Sequence, residues 1–164
     1  MFALSGIDKK HVIFEQVKIG EHNGEAVTMA TIIIGLKDIG TKPVLVFMHG
    51  YAATCALYFA IFKRLAEKFV IVCVDHVGMG TSSRPDGHYK VQQKPQESLD
   101  FFVDSLEKWR VKFSDQFGVN MSRFYLLAHS FGCYICGHYA LKYPQFIEKL
   151  ILLSPLGIPV TLAD

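Results

Sequence analysis

Apolar runs alternate with amphipathic stretches along this chain from residue 44 onwards. The apolar runs predict strands over residues 44–48, 69–74, 123–128 and 148–153. The stretches between them predict helices over residues 55–68, 96–116 and 131–143. Because strands that alternate with helices are typical of an α/β fold, we predict a mainly parallel sheet flanked by helices on both faces.

The segment before this alternation predicts a β-hairpin. Its strands are expected over residues 11–19 and 27–34, with turn-forming residues at 20–24 between them. Together with the four later apolar runs, this gives a sheet of about six strands. A chain of 164 residues builds one domain with a genuine core, so we predict a single domain over residues 1–164.

The helix predicted over 96–116 has a clear apolar stripe. Apolar residues recur at intervals of three and four, at Leu99, Phe102, Val103, Leu106, Trp109 and Phe113. Charged residues are expected on the opposite face, at Glu97, Asp104, Glu107, Lys108 and Lys112. A stripe of this kind favours packing against the sheet over contact with a membrane or a partner.

Charge and hydropathy exclude several classes of protein. The chain has 17 basic and 15 acidic residues and no basic run, so nucleic acid is not an expected partner. No run reaches 18 apolar residues, and the first ten residues contain no long apolar core, so neither a transmembrane segment nor a secretion signal is predicted. We therefore expect an intracellular protein, in the cytoplasm rather than in an organelle.

The four cysteines lie in apolar surroundings, at Cys55, Cys73, Cys133 and Cys136. We expect them to be reduced and mostly buried, as in a reducing compartment. Cys133 and Cys136 have the spacing of a redox or zinc pair, but no second pair accompanies them. A metal site is therefore not predicted.

The most informative stretch runs from Phe124 into a serine flanked by small residues, Ala128-His129-Ser130-Phe131-Gly132. An apolar strand, a sharp turn at a serine and an apolar helix present a serine as a nucleophile, and the tight turn requires small residues two positions before and after it. The same turn directs the backbone N–H of Phe131 to the place where an oxyanion would form. Taken alone, the pattern is also explained by turn geometry.

A second segment upstream agrees with the nucleophile hypothesis. The apolar strand over 44–48 ends in His49-Gly50, where glycine permits a sharp turn away from the strand. The N–H of Tyr51 is then a candidate for the second oxyanion donor. We predict that His49 and Gly50 belong to this site as candidates for substrate contact, and hydrogen bonds that fix the loop are the alternative role of His49.

The strand predicted over 69–74 ends at Asp75 and leads into a glycine-rich loop, His76 to Pro85. This loop has neither the Lys-Ser/Thr ending of a P-loop nor the third glycine of a dinucleotide fingerprint. No cofactor is therefore expected. His76 lies at the sheet edge where α/β proteins bind ligands, so it is a candidate for substrate contact or for a hydrogen bond within the loop.

With these segments in order, the chain resembles the α/β-hydrolase superfamily, of the AB hydrolase-1 type, from about Val44 to Pro159. The residues that carry the resemblance are His49, Gly50, Asp75, Gly78, Gly80, Ser82, Pro85, Ala128 to Gly132, and Leu152 to Gly157. Ser105 to Arg110, Tyr143-Pro144 and Leu153 to Pro159 are most similar to the lipid-directed abhydrolase-4 and abhydrolase-5 branch. The resemblance implies an N-terminal portion of such a domain, truncated after about the sixth strand, with the lid and the C-terminal acid and histidine beyond it.

The resemblance also implies a base, a histidine that follows the serine and an acid. His138 is the sole histidine after Ser130, and eight helical residues place it roughly 12 Å away, too far to reach the hydroxyl. His129 is expected to point away from Ser130 and to pack or form a hydrogen bond under the turn, and it is also a candidate for substrate contact. Asp164 is the one acid after the last predicted strand. The nucleophile and two oxyanion donors are thus predicted without a base.

Three explanations remain open. The missing half lies beyond Asp164, or another polypeptide supplies it, or the chain is a structural subunit without catalysis. We predict a serine hydrolase that cleaves a carboxylic ester, plausibly of a lipid or an acylglycerol, through an acyl-enzyme at Ser130. The alternative is a non-catalytic subunit that binds lipid or packs in a complex, and a partner chain could cover the open edge of the sheet in either case.

Overall fold

The computed structural model of the protein describes residues 6–85 and 94–157. Among these residues six strands form one sheet, in the spatial order β1-β2-β4-β3-β5-β6. Their bounds are β1 Val12–His22, β2 Glu25–Ile34, β3 Val44–Met48, β4 Val70–Val74, β5 Phe124–His129 and β6 Ile147–Leu153. The last four strands are mutually parallel, so the predicted α/β fold with a mainly parallel sheet is confirmed.

Three α-helices are present in this part of the chain, α1 Phe59–Ala66, α2 Pro95–Phe117 and α3 Phe131–Lys142. The helix predicted over 55–68 was too long, because Cys55–Tyr58 forms a 3₁₀ turn before α1. The bounds of α2 agree with the prediction to one residue at each end, since Pro95 suits the first turn and Gly118 adopts a left-handed conformation at the end. Pro159 and Asp164, noted in the sequence, lie outside the described residues.

The N-terminal hairpin is longer than predicted. Asn23 and Gly24 have φ angles of 50° and 80°, which allows a two-residue turn, so both strands continue up to it. Gly20, predicted to lie in the turn, is instead within β1, next to a register shift after Lys18. The hairpin then extends the parallel part of the sheet, because β2 pairs antiparallel with β4.

The hydrophobic core lies on both faces of the sheet. One face packs against α2 and α3, where Trp109 and Tyr139 are fully buried, and the other packs against α1 through Phe62. The indole N–H of Trp109 donates to Thr31 Oγ1 at 2.9 Å, which satisfies the one polar group of that side chain. The apolar stripe of α2 therefore packs against the sheet, as predicted.

The prediction that every charged residue of α2 faces solvent was wrong for Glu107. Its carboxylate is half-buried between α2 and α3, where it accepts a hydrogen bond of 2.6 Å from the Tyr139 hydroxyl and pairs with Arg110 at 2.7 Å. Asp104 is also partly buried and pairs with Lys142 of α3 at 2.6 Å. Both acids lie beside α3 because that helix packs along α2.

No helix in residues 6–85 and 94–157 has the length and the apolar character needed to cross a membrane. All four cysteines are free and buried. The Cys133 thiol donates to the carbonyl of Ala128 at 3.1 Å, so this side chain packs back against the end of β5.

Candidate active site

The residues singled out in the sequence meet at one edge of the sheet. His49, His76 and Ser130 follow the carboxyl ends of β3, β4 and β5, which are neighbours in the order β4-β3-β5. In open α/β sheets ligands bind outside the carboxyl ends of the strands. The topology therefore brings together three segments that are up to 81 residues apart in the sequence, as the numbers of His49 and Ser130 show.

Ser130 occupies the sharp turn between β5 and α3. Its φ and ψ angles are 51° and −117°, a left-handed backbone conformation that side chains other than glycine rarely adopt. Its N–H donates to the carbonyl of Leu153 at 3.0 Å, and its carbonyl accepts from the N–H groups of Cys133 and Leu156 at 3.0 and 3.2 Å. These bonds to β6 and α3 hold the strained turn in place.

Small residues surround this turn for steric reasons that the structure makes explicit. Ala128 is fully buried in the sheet, between Met48 on β3 and Leu152 on β6. A Cβ atom on Gly132 would lie 2.5 Å from the carbonyl oxygen of His49 and 3.0 Å from that of Met48. The first turn of α3 thus packs directly on the backbone at the end of β3.

The loop after β3 touches the serine. A Cβ atom on Gly50 would lie 3.2 Å from Ser130 Cβ and 3.1 Å from His129 Nδ1, so glycine is what permits this approach. The rings of Tyr51 and Phe131 face each other edge to face, with centroids 6.1 Å apart. The two residues predicted to donate oxyanion N–H groups are therefore neighbours across the mouth of the turn.

A cleft of about 600 Å³ opens beside these two residues. Its lining among the described residues is Tyr51, Ala52, Gly78, Met79, Gly80, Arg84, Phe102 and Phe131. Apart from Arg84, the side chains are apolar or aromatic. Such a lining suits the hydrocarbon part of a ligand and places it next to the serine turn.

The His49 ring is fully buried and holds the loop after β3 in place. Its Nε2 accepts from the backbone N–H of His76 at 3.1 Å, so the proton is on Nδ1, which donates to the Gly50 carbonyl at 2.6 Å. Burial lowers the pKa of His49. Asp75 Oδ1 is 3.6 Å from Nε2, but the ring that accepts a backbone N–H there is neutral, so this contact is not an ion pair.

The His76 ring fixes the same loop from the other side. Its Nε2–H donates to the backbone carbonyl of His49 at 3.0 Å, and the ring packs edge to face on Phe102 and Phe131. Complete burial, with a smaller effect of the neighbouring His49, lowers the pKa of His76 to about 3. Of the two roles considered for His76, the structure shows the hydrogen bond within the loop region.

His129 forms a hydrogen bond of 2.8 Å between its Nδ1 and the Tyr58 hydroxyl, at the start of α1. Its ring therefore packs under the turn, beside Gly50, as its position in the strand predicted. His138 lies further along α3 against the Tyr134 ring. Within residues 6–85 and 94–157, no histidine forms a hydrogen bond with the Ser130 hydroxyl.

Asp75 has a larger structural role than the sequence indicated. Its carboxylate accepts from the Thr54 hydroxyl at 3.0 Å, from the Cys55 N–H at 2.8 Å and from the Thr81 N–H at 3.0 Å. It thereby ties the loop after β3 to the loop after β4. The sequence marked Asp75 as the end of a buried strand, but no motif marked Thr54 or Thr81 as its hydrogen-bond partners.

The buried histidines make the stability of this region depend on pH. His76 has a native pKa of about 3, below its unfolded value of 6.5, so the unfolded chain binds more protons between these values and acid destabilises the fold. Between pH 8 and pH 5 we expect His76 alone to lower the free energy of unfolding by about 2 kcal/mol. Urea denaturation at a series of pH values measures this slope.

The matched control is His76→Gln, which keeps an N–H donor for the His49 carbonyl but does not titrate. Its free energy of unfolding should fall less steeply towards pH 5, with the remaining slope due to His49 and other groups. An equal slope in both proteins would show that His76 is not held neutral by burial.

Comparison with known proteins agrees with this architecture. The model of the alpha/beta hydrolase fold family matches residues 43–163. Among solved structures, a membrane phospholipase A, described as a bacterial virulence factor, superposes with a TM-score of 0.71. That match has 19% sequence identity and covers 97% of this chain and 43% of the other, so it supports the fold alone.

Curated relatives are more similar in sequence. A 1-acylglycerol-3-phosphate O-acyltransferase from Arabidopsis thaliana is 40% identical over 115 residues, which are 70% of this chain and 25% of that protein. The 1-acylglycerol-3-phosphate O-acyltransferase ABHD5 from Mus musculus is 31% identical over 122 residues, which are 74% of this chain and 32% of that protein. The chain thus spans about a quarter to a third of the length of these relatives. It belongs to the alpha/beta hydrolase fold family, with relatives of the ABHD5 type.

Proposed function

We propose that the full-length protein carrying this chain transfers acyl groups from a lipid ester through an acyl-enzyme at Ser130. The observation that carries the proposal is the backbone of Ser130, held at a positive φ angle with Gly50 packed directly against it. A structural serine has no need of this conformation, whereas a nucleophile gains exposure and proximity to two N–H groups from it. Hydrolysis is the simplest outcome, with water as the acceptor.

In the first step, Ser130 Oγ attacks the ester carbonyl carbon while its proton goes to a base. The N–H groups of Tyr51 and Phe131 would bind the oxyanion that forms, and the alcohol then leaves with the proton from the base. In the second step, water attacks the acyl-serine, releases a fatty acid and regenerates Ser130. The base is expected outside the described residues, because the ring nitrogens of His49 and His76 are committed to backbone groups.

The cleft supports a lipid as the acyl donor. Of its eight described lining residues, seven are uncharged, and five of these bear apolar or aromatic side chains, Tyr51, Ala52, Met79, Phe102 and Phe131. An acyl chain placed along Phe102 and Phe131 would bring its carbonyl to the serine turn. The relatives named as 1-acylglycerol-3-phosphate O-acyltransferases suggest that a lipid alcohol can replace water as the acceptor. The buried free thiols further support a reducing compartment, such as the cytoplasm.

The test is product analysis with the full-length protein. We expect release of fatty acid from a monoacylglycerol or a 1-acylglycerol-3-phosphate, and transfer to a second lipid alcohol when one is added. Mass spectrometry of the lipids distinguishes the two products. If no lipid ester is consumed while the protein still binds these lipids, the proposal fails in favour of a non-catalytic lipid-binding subunit.

That second candidate has one observation in its favour. Throughout the described ranges, no histidine bonds to Ser130, so the observed residues do not by themselves activate the hydroxyl. The product analysis separates the two candidates, since lipid binding without turnover would fit only the second.

A further inference from the structure

Among residues 6–85 and 94–157, Arg84 is the charged residue that lines the cleft beside Ser130. We propose that its guanidinium binds the phosphate of a phosphate-bearing acyl lipid and so sets the headgroup preference of this site. The proposal rests on the proposed function for the identity of the cleft as a lipid site. It adds the residue that recognises the headgroup and the chemical class of that headgroup.

The loop that carries Arg84 is firmly attached to the sheet. Ser82 Oγ donates to the Asp75 carbonyl and accepts from the Ala30 N–H, both at 2.8 Å. The Ser83 N–H donates to the Thr28 carbonyl at 3.0 Å, and Ser83 Oγ accepts from the Thr28 N–H at 2.9 Å. Arg84 therefore extends from a fixed piece of backbone.

The guanidinium is oriented by two hydrogen bonds to described residues. Its Nη2 donates to the Gly80 carbonyl at 3.0 Å, and its Nη1 is 3.4 Å from the Ser82 carbonyl. A guanidinium has five N–H donors, so three are not used by these two bonds. In the part of the chain that the structure describes, Arg84 forms no ion pair. Glu25 lines a neighbouring pocket together with Arg84 and does not pair with it.

A fixed cation beside an apolar cleft is complementary to an amphiphile with an anionic headgroup. Guanidinium groups bind phosphate oxygens through two parallel N–H bonds, which is a geometry that a lysine ammonium cannot reproduce. The lining thus offers aromatic and apolar surface to an acyl chain at Phe102 and Phe131, and a charge to a phosphate at Arg84. A neutral glycerol headgroup would gain nothing from that charge.

The experiment measures binding of ether lipids, which have no ester to cleave. Calorimetry with the full-length protein compares 1-O-octylglycerol-3-phosphate with 1-O-octylglycerol, both below their micelle concentrations. We expect the phosphate lipid to bind about 10-fold more tightly or better. Arg84→Gln should remove this preference, because the variant loses the charge-assisted pair between the guanidinium and the phosphate. Arg84→Lys should keep only part of it.

The matched control is Arg64→Gln, at an exposed arginine of α1 that does not line the cleft. This variant should keep the full preference, and circular dichroism should show all variants folded. A preference that survives Arg84→Gln, or a natural protein that binds both lipids equally, would overturn the proposal. Binding of inorganic phosphate as tight as that of the ether lipid would also overturn it, because the site would then recognise the free anion.

This design keeps the two proposals separate. Retained phosphate preference without any turnover of lipid esters would contradict the acyl-transfer function but would support the role of Arg84. Turnover of lipid esters, without a phosphate preference that depends on Arg84, would support the acyl-transfer function and contradict the role of Arg84.

Discussion

Replacing Ser130 by alanine is expected to lower the turnover of lipid esters by at least about 10⁴-fold, because the variant has no atom that can form the acyl-enzyme. Alanine removes one oxygen atom and leaves the turn between β5 and α3 otherwise unchanged. The hydrogen bonds that hold this turn are made by backbone groups, so the variant should fold. Initial rates of fatty acid release by the full-length protein measure the effect.

Ser122→Ala is the matched control for this variant. Ser122 is an exposed serine in the loop before β5, away from the cleft, and its replacement should leave the rate unchanged. If Ser130→Ala retained most of the rate, the nucleophile would lie elsewhere and the acyl-enzyme at Ser130 would be excluded.

Gly132→Ala is expected to cause a large loss of stability, because glycine is what lets α3 approach the end of β3. The new methyl group would approach the carbonyl oxygens of His49 and Met48 at 2.5 and 3.0 Å, and both obstacles are backbone atoms that cannot rotate away. Either α3 or the end of β3 must move. We expect a cost of about 3 kcal/mol in the free energy of unfolding, together with loss of activity. Urea denaturation measures it.

Gly137 offers a control within the same helix. A Cβ atom there would meet nothing within 4 Å, so Gly137→Ala should stabilise the protein by roughly 0.5–1 kcal/mol through helix propensity. If both variants had the same stability, the close approach of α3 to β3 would be wrong.

The sheet could be predicted from the sequence because its central strands are continuous apolar runs. A strand buried on both faces can be recognised from its own apolar residues, without knowledge of the strands that pair with it. The bounds of β3 and β4 were accordingly predicted to within one residue. The serine turn was equally visible, since steric demands restrict Ala128 and Gly132 to small residues. Apolar runs and small residues at a tight turn can therefore be read from the sequence, because burial and steric contacts within one segment determine them.

Contacts between distant segments could not be predicted in this way. Tyr58 and His129 are 71 residues apart, and Glu107 and Tyr139 are 32 apart, yet each pair is joined by one hydrogen bond. Periodicity placed Glu107 on the solvent face because it describes one helix at a time. The position of α3 beside α2, which buries this acid in part, is a property of the whole fold.

The histidines illustrate the same limit. His49 and His76 both follow strands at the ligand-binding edge, and their position alone is compatible with substrate contact or with a structural role. Their backbone hydrogen bonds and their lowered pKa values show neutral rings that connect the loops after β3 and β4. These two residues support the proposed site by holding Gly50 against Ser130.

The most direct test of the central claim is to locate the adduct of a fluorophosphonate probe on the full-length protein by mass spectrometry. Trypsin releases residues 124–142 as one peptide, which contains Ser130 and no other serine or threonine. Fragment ions of that peptide then distinguish an adduct on Ser130 from one on Tyr125, Tyr134 or Tyr139. We predict a single adduct at Ser130. An adduct on a different peptide, or no adduct on a protein that remains folded, would contradict the account.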